Sequence, residues 1–243
     1  MSDTPIDVFI DLPYSPGPVQ AGRLWSHFRK GRESASFEYN REWLANPYRF
    51  ALEPLLPLAD GTFHTTPGQS VFGAIGDSTP DRWGRILMRR AELARARTAN
   101  ESPHTLSELD YLLRVNDEAR QGALRFSQDG GQSFCAPPGS TPIPPLVNLS
   151  RLLHAADHFC RDDENAEDLR LLLAPGSSLG GARPKASVKD KKGNLCIAKF
   201  PRHDDEYNVV AWEAVALTLA SKAGLQVPRF ELEKICLLYT SPS

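Results

Sequence analysis

Residues 176–187 read GSSLGGARPKAS, and from Ala186 the chain continues as ASVKD-KKGN-LCIAKFP, two short alternating runs around Gly193 and Asn194. A glycine pair leading into a predicted β-hairpin constrains the fold more than any other stretch. Glycines let the backbone come close to a ligand and aim consecutive N–H groups at one anion, and they serve a plain turn equally well. A phosphate cradle and a structural turn therefore both fit the stretch taken by itself. The order of elements excludes two architectures. A Walker A loop opens a helix with Gly-Lys-Ser/Thr, so that helix dipole and lysine meet the phosphates, whereas here Pro184 precedes Lys185 and Ala186 follows it. The GxGxxG fingerprint of a dinucleotide-binding fold is absent as well.

Composition narrows the partners. The chain has 243 residues, 41% of them hydrophobic, enough for one large core or two small ones. Lys plus Arg number 28 against 30 Asp plus Glu, a formal charge of −2, so there is no global electrostatic footprint for nucleic acid or a membrane surface. The opening MSDTPIDVFIDLP has no cleavage-type segment and no apolar run is long enough to span a bilayer, which gives the expectation of a soluble, cytoplasmic protein. Cys135, Cys160, Cys196 and Cys236 are scattered without a CxxC pair, a spacing that argues against a zinc module or disulfide framework.

Along the chain, VFIDLP, AGRLWSHF and SFEYN read as strands, with a turn at YSPGP, and form a small β-rich module. FGAIGDSTPDRWGR then leads into a helix. Ser78 or Thr79 is its expected cap, Pro80 suits its first turn, and Trp83, Ile86, Leu87, Ala91 and Ala94 fall on one face. Arg82, Arg85, Arg89, Arg90, Arg95 and Arg97 make the helix basic; a solvated face and a nucleic-acid surface are the two readings. TLSE predicts a second helix with Thr105 and Glu108 as a capping box, GALRF a strand, and CAPPGSTPIPP a stiff connector. LVNLSRLLHAADHFC and ENAEDLRLLLA, up to Pro175, are predicted helices. His154 and His158 stand four apart on the polar side of the first of these without a carboxylate between them, and no metal site is expected there.

With a hairpin behind it, a glycine-rich loop over phosphates is the arrangement of protein-kinase-type folds. Lys199 closes the strand LCIAK as the kinase strand lysine closes V-A-I-K, and can grip phosphates from the sheet; the alternative is an edge lysine in solvent. Glu213 lies in the predicted helix EYNVVAWEAVALTLASKAG on the face of Val209, Ala216 and Ala220. A carboxylate on an apolar face requires a cation, and Lys199 is its expected partner.

FGAIGDSTPDRWGR, DYLLRVNDEARQGALRF, SSLGGARPKASV, CIAKFP and the Trp212-Glu213 pair together resemble the HipA-type serine/threonine kinases, toxins of bacterial type II toxin–antitoxin systems, from about Val8 to Lys234. The resemblance implies an α+β fold, with a β-rich N-terminal subdomain packed on the start of a protein-kinase-like core. It places the first subdomain and basic helix in 1–100, the kinase-like part in 101–235 and an atypical tail in 236–243. It implies ATP with Mg2+ as cofactors, a protein hydroxyl as substrate, for instance in the translation machinery, and a DNA-binding antitoxin as partner. Gly180, Gly181, Ala182, Arg183 and Lys185 match the loop that contacts ATP, and Lys199 the phosphate-gripping lysine. Ser178 matches the autophosphorylated loop serine, with Ser177 offering a neighbouring hydroxyl; a dianion there would compete with ATP phosphates for the same donors. The alternative function is a non-catalytic module that binds an antitoxin or an antitoxin–DNA complex. After PRFELEK the sequence runs ICLLYTSPS, without the catalytic Asp, the Asn that follows it or the metal-binding Asp of phosphoryl transfer. The expectation is accordingly an N-terminal fragment of a kinase that grips nucleotide without catalysing by itself.

Overall fold

A computed structural model of the chain describes residues 5–135, 143–176 and 180–235. Its fold is α+β, a five-stranded antiparallel sheet and a separate two-stranded hairpin with helices around them. Strands β1 (Ile6–Ile10), β2 (Val19–Arg29), β3 (Arg32–Tyr39), β4 (Thr62–His64) and β5 (Leu124–Ser127) lie in the order β4-β3-β2-β1-β5. Alternation puts Ile6, Val8 and Ile10 of β1, Leu24 of β2, Phe37 of β3 and Phe126 of β5 into one buried cluster with Trp43, Phe72, Ile75 and Leu112. Gly22 is required where β2 passes β3: a Cβ there would stand 2.2 Å from the Glu38 carbonyl oxygen. Short helices α1 (Arg41–Ala45) and α2 (Gly73–Gly76) close this side of the sheet and contribute Trp43 and Ile75 to its core.

The second core lies around helix α3 (Arg82–Ala99). Trp83 and Leu87 pack with Leu152, Ala156 and Phe159 of α5 (Leu149–Cys160), Leu169 and Leu172 of α6 (Ala166–Gly176), and Ala186 and Val188 of strand β6 (Lys185–Lys189). Helix α4 (Glu108–Leu113) links the first core to α3: Leu112 enters that core, while Tyr111 packs with Met88 of α3 and Val115 in a small third cluster. Thus α3, which the sequence groups with the first hundred residues, feeds the second core, and β5 completes the first sheet.

Several local expectations are revised. Asp81, not Ser78 or Thr79, is the N-cap of α3, and Pro80 lies before the helix; the Thr79 hydroxyl donates to the Gly76 carbonyl instead. The capping box of α4 is Ser107 with Asp110, because Glu108 is already helical and its carboxylate is occupied by Arg85 in a two-point contact at 2.6 and 2.7 Å. The hairpin of β6 and β7 (Leu195–Lys199) turns through residues 190–194. There Asp190 accepts from the amides of Lys192 and Asn194, and Gly193 takes φ +84°. Of the connector 135–145, residues 136–142 lie outside the described residues; Pro145 forms an isolated parallel bridge with Lys189.

The arginine-rich helix is neither bare nor merely solvated. Arg85 pairs with Glu108 and Arg90 with Asp162 and Glu164, so these two brace α3 against other segments, while Arg95 pairs with Glu92 within the helix and Glu101 just beyond its end. Arg82, Arg89 and Arg97 are exposed. Glu92, 3% exposed, also receives Arg114 and the His104 amide. The Arg95 guanidinium bonded to it, ahead of the opposing effect of burial, holds its carboxyl down to about 2 from an ordinary 4.5. A depressed folded-state pKa contributes stability above 4.5 that disappears as pH falls towards 2. The stability difference between the wild type and Glu92→Gln should therefore be constant above that range and shrink through it in acid unfolding titrations. A difference independent of pH over that interval would mean that the Glu92 charge is not what Arg95 and Arg114 hold.

The rings of His154 and His158 lie tilted to each other with centroids 4.1 Å apart, and His158 meets Asp168 at 2.9 Å; no group of three or more metal-ligating side chains is found among the described residues. No helix among them is long and apolar enough to cross a membrane. Cys135, Cys160 and Cys196 are free thiols.

Candidate functional site

The loop 180–185 and the hairpin behind it sit on the N-terminal end of α3. Gly181 takes φ +79°, a left-handed conformation that glycine adopts without strain. Both of its backbone polar groups are committed to α3: its N–H donates to Asp81 Oδ2 at 2.8 Å, and its carbonyl accepts the Trp83 amide at 2.9 Å. Trp83 Nε1 donates to the Lys185 carbonyl at 2.9 Å, so one indole anchors the start of β6 while its ring fills the core against Phe159. The loop's backbone is thus positioned by a helix about a hundred residues earlier in the chain.

Cations converge beside it. Antiparallel pairing sets Lys185 of β6 directly opposite Lys199 of β7, on the same face of the hairpin. Like charges directly opposite each other on a sheet are destabilising. Each ammonium has found a compensating oxygen. Lys185 Nζ donates to the Gly180 carbonyl at 2.5 Å, and Lys199 Nζ is bonded to Glu213 Oε1. Burial, then the Lys199 charge, lowers the Lys185 pKa below that of an ordinary lysine. Arg183 is held by both oxygens of Asp205, whose carboxyl the guanidinium keeps below the usual carboxylate range.

The structure therefore brings together Gly180, Gly181, Arg183, Lys185, Lys199 and Glu213; Ala182 is exposed in the same loop, and Ser178 lies outside the described residues. The reason for the Lys199–Glu213 pair differs from the expected one. Helix α7 (Val209–Lys222), capped by Asn208, has no buried residue, and the two side chains are 44% and 40% exposed, so Glu213 is not a stranded acid on a packed face. Sequence reasoning did not find Asp81, the Trp83 indole or Asp205. Asp81 carries a signal, an acid before a helical run, but that signal points to its own helix and not to a loop far along the chain.

A cavity of about 640 Å³ is lined by Asp81 together with Asp77, Thr79, Arg82, Arg85 and Arg89 among others. Against known proteins, residues 177–239 match the family described as the HipA-like C-terminal domain, a span that starts within the glycine loop and takes in β6, β7 and α7. No curated protein matches the chain.

Proposed function

We propose that the chain, whose residues 177–239 match the HipA-like C-terminal domain, carries the nucleotide-gripping part of an ATP-dependent protein serine/threonine kinase. The observation that carries this reading is the cross-strand pair of Lys185 and Lys199 beside a glycine loop. Two ammonium groups on one face of a hairpin favour an anion beside them, and the charged oxygens of a triphosphate are suited to that role. In this reading Lys199 grips phosphate from the sheet, Glu213 fixes its direction, and Lys185, Arg183 and the loop amides face the remaining oxygens. The donors fit phosphate chemistry: they are cationic or N–H groups grouped on one loop and one hairpin end. Magnesium does not fit in the same way, because no group of three or more metal-ligating side chains is found among the described residues. A protein hydroxyl as acceptor, autophosphorylation at Ser178 and a toxin role opposed by a DNA-binding antitoxin belong to the same proposal and rest on the family likeness.

Saturating ATP at about 100 times Kd should stabilise the wild-type chain by about 2.7 kcal/mol in thermal unfolding. Lys199→Ala should abolish that increment. Without ATP the same substitution should change stability by less than about 1 kcal/mol, since the ion pair is half-exposed. Equal ATP stabilisation of the two proteins, or none in the wild type, would remove the support for a nucleotide site.

A further inference from the structure

The Asp81 side chain is in an unusual place for a helix N-cap. An aspartate there ordinarily accepts from the amides of its own first turn, an interaction that contributes about 1 kcal/mol. Asp81 makes no such bond; its Oδ2 accepts from Gly181 N–H at 2.8 Å. The carboxylate lies close against the loop, since a Cβ placed on Gly180 would meet Asp81 Oδ2 at 3.0 Å. In return, the Gly181 carbonyl takes the Trp83 amide, one of the donors that a capping side chain would have served. Helix and loop have exchanged partners. An anion already occupies a backbone donor that an incoming phosphate would use, and its charge faces the same cations.

Building on the reading of residues 180–185 as a nucleotide loop, we propose that Asp81 is a latch: its carboxylate stands in for phosphate on Gly181 N–H and must leave before a nucleotide can bind. Its alternative resting place is ready-made. Released from Gly181, the side chain can turn back to the first-turn amides of α3, the position its residue type prefers. The element has two arrangements, and phosphate favours one because two anions cannot share the same donor without repulsion. Asp81 is thus a positioning residue that sets nucleotide affinity from outside the loop.

Two measurements on the full chain test this. Amide hydrogen exchange at Gly181, without nucleotide, reads the latch directly; calorimetric titration with ATP, and with adenosine as a ligand without phosphate, reads the competition. Asp81→Ser keeps a helix-capping hydroxyl but is too short and uncharged to hold Gly181, and Asp81→Asn removes the charge while keeping the shape. Gly181 exchange should accelerate in Asp81→Ser. If the latch is closed about nine-tenths of the time, ATP affinity should rise about tenfold in Asp81→Ser, with a smaller rise in Asp81→Asn. Adenosine affinity should not change. Unchanged Gly181 exchange in Asp81→Ser overturns the latch. Faster exchange with ATP affinity equal to or below that of the wild type overturns the competition and leaves the nucleotide site standing. ATP binding to neither wild type nor variants, with exchange still faster, instead removes the nucleotide reading and the competition with it.

Discussion

Replacing Arg120 by Met should lower the unfolding free energy by about 3–5 kcal/mol, the loss associated with removing one partner of a buried charged network. The Arg120 side chain is 0% exposed. Its guanidinium donates to three carbonyls, Ser78 at 3.0 Å, Leu112 at 3.0 Å and Val115 at 3.2 Å, lies over the Phe126 ring and stands 3.5 Å from Asp117. Burial lowers its pKa to about 10, which still leaves it charged at neutral pH. Met fills a similar volume and supplies no donor, so the carbonyls lose their partner and Asp117, whose carboxyl burial already pushes up, loses a nearby cation. Denaturant titration should show a lower midpoint with an unchanged slope. Adding Asp117→Asn should recover part of the loss, because the acid is then no longer charged without Arg120 beside it. A loss below about 1 kcal/mol in Arg120→Met would show that the carbonyls find water and that the network is not what joins these segments.

That network also explains why separate stretches of sequence act as one unit. Ser78 belongs to FGAIGDSTPDRWGR and Arg120 to DYLLRVNDEARQGALRF, and Arg85 of the first stretch meets Glu108 just before the second. A second acid works across a similar gap: Glu33 of β3 accepts from the amides of Glu108 and Leu109 at the start of α4. Polar pins of this kind fix where α3 begins, and α3 in turn fixes the glycine loop.

The strands were legible because a half-buried sheet writes a period of two into its sequence: Ile6, Val8 and Ile10 on one face, and Ala186 with Val188 in the hairpin. Lys199 and Glu213 could be matched because each stands at a marked place, the end of a strand and the second turn of a helix. Charge partners were less legible. A run of arginines reads the same whether its acids are absent or supplied by other elements, and only the fold brings Glu108, Glu164 and Glu101 to Arg85, Arg90 and Arg95. The apolar character of α7 misled in the opposite direction, since the face of Val209, Ala216 and Ala220 reads as packed and the helix has no buried residue. Asp81 was hidden because a side-chain bond to Gly181 leaves no periodicity behind; it is a consequence of how α3 and the hairpin pack in the second core.

Trp83 is where the second core meets the loop, and its two contributions can be separated. Trp83→Ala should destabilise the protein by about 3–5 kcal/mol, as expected for deleting a large buried aromatic. Its ring is 3% exposed and packs edge-on against Phe159 at 5.1 Å. Trp83→Phe keeps most of that packing and loses the indole N–H, leaving the Lys185 carbonyl without this donor, and should be lower in stability by about 1–3 kcal/mol. Chemical denaturation of the two variants ranks the terms. If both lose the same amount, the Nε1 bond to Lys185 carries the effect and the second core tolerates a cavity; if Trp83→Phe matches the wild type, packing carries it all. The intermediate result is expected because the backbone amide of Trp83 still holds the Gly181 carbonyl in either variant, so the loop remains seated while the strand behind it loosens. Stability and loop position are therefore coupled through a single side chain: the residue that completes the second core is also the one that holds Lys185, and with it the cation facing Lys199, at the mouth of the glycine loop.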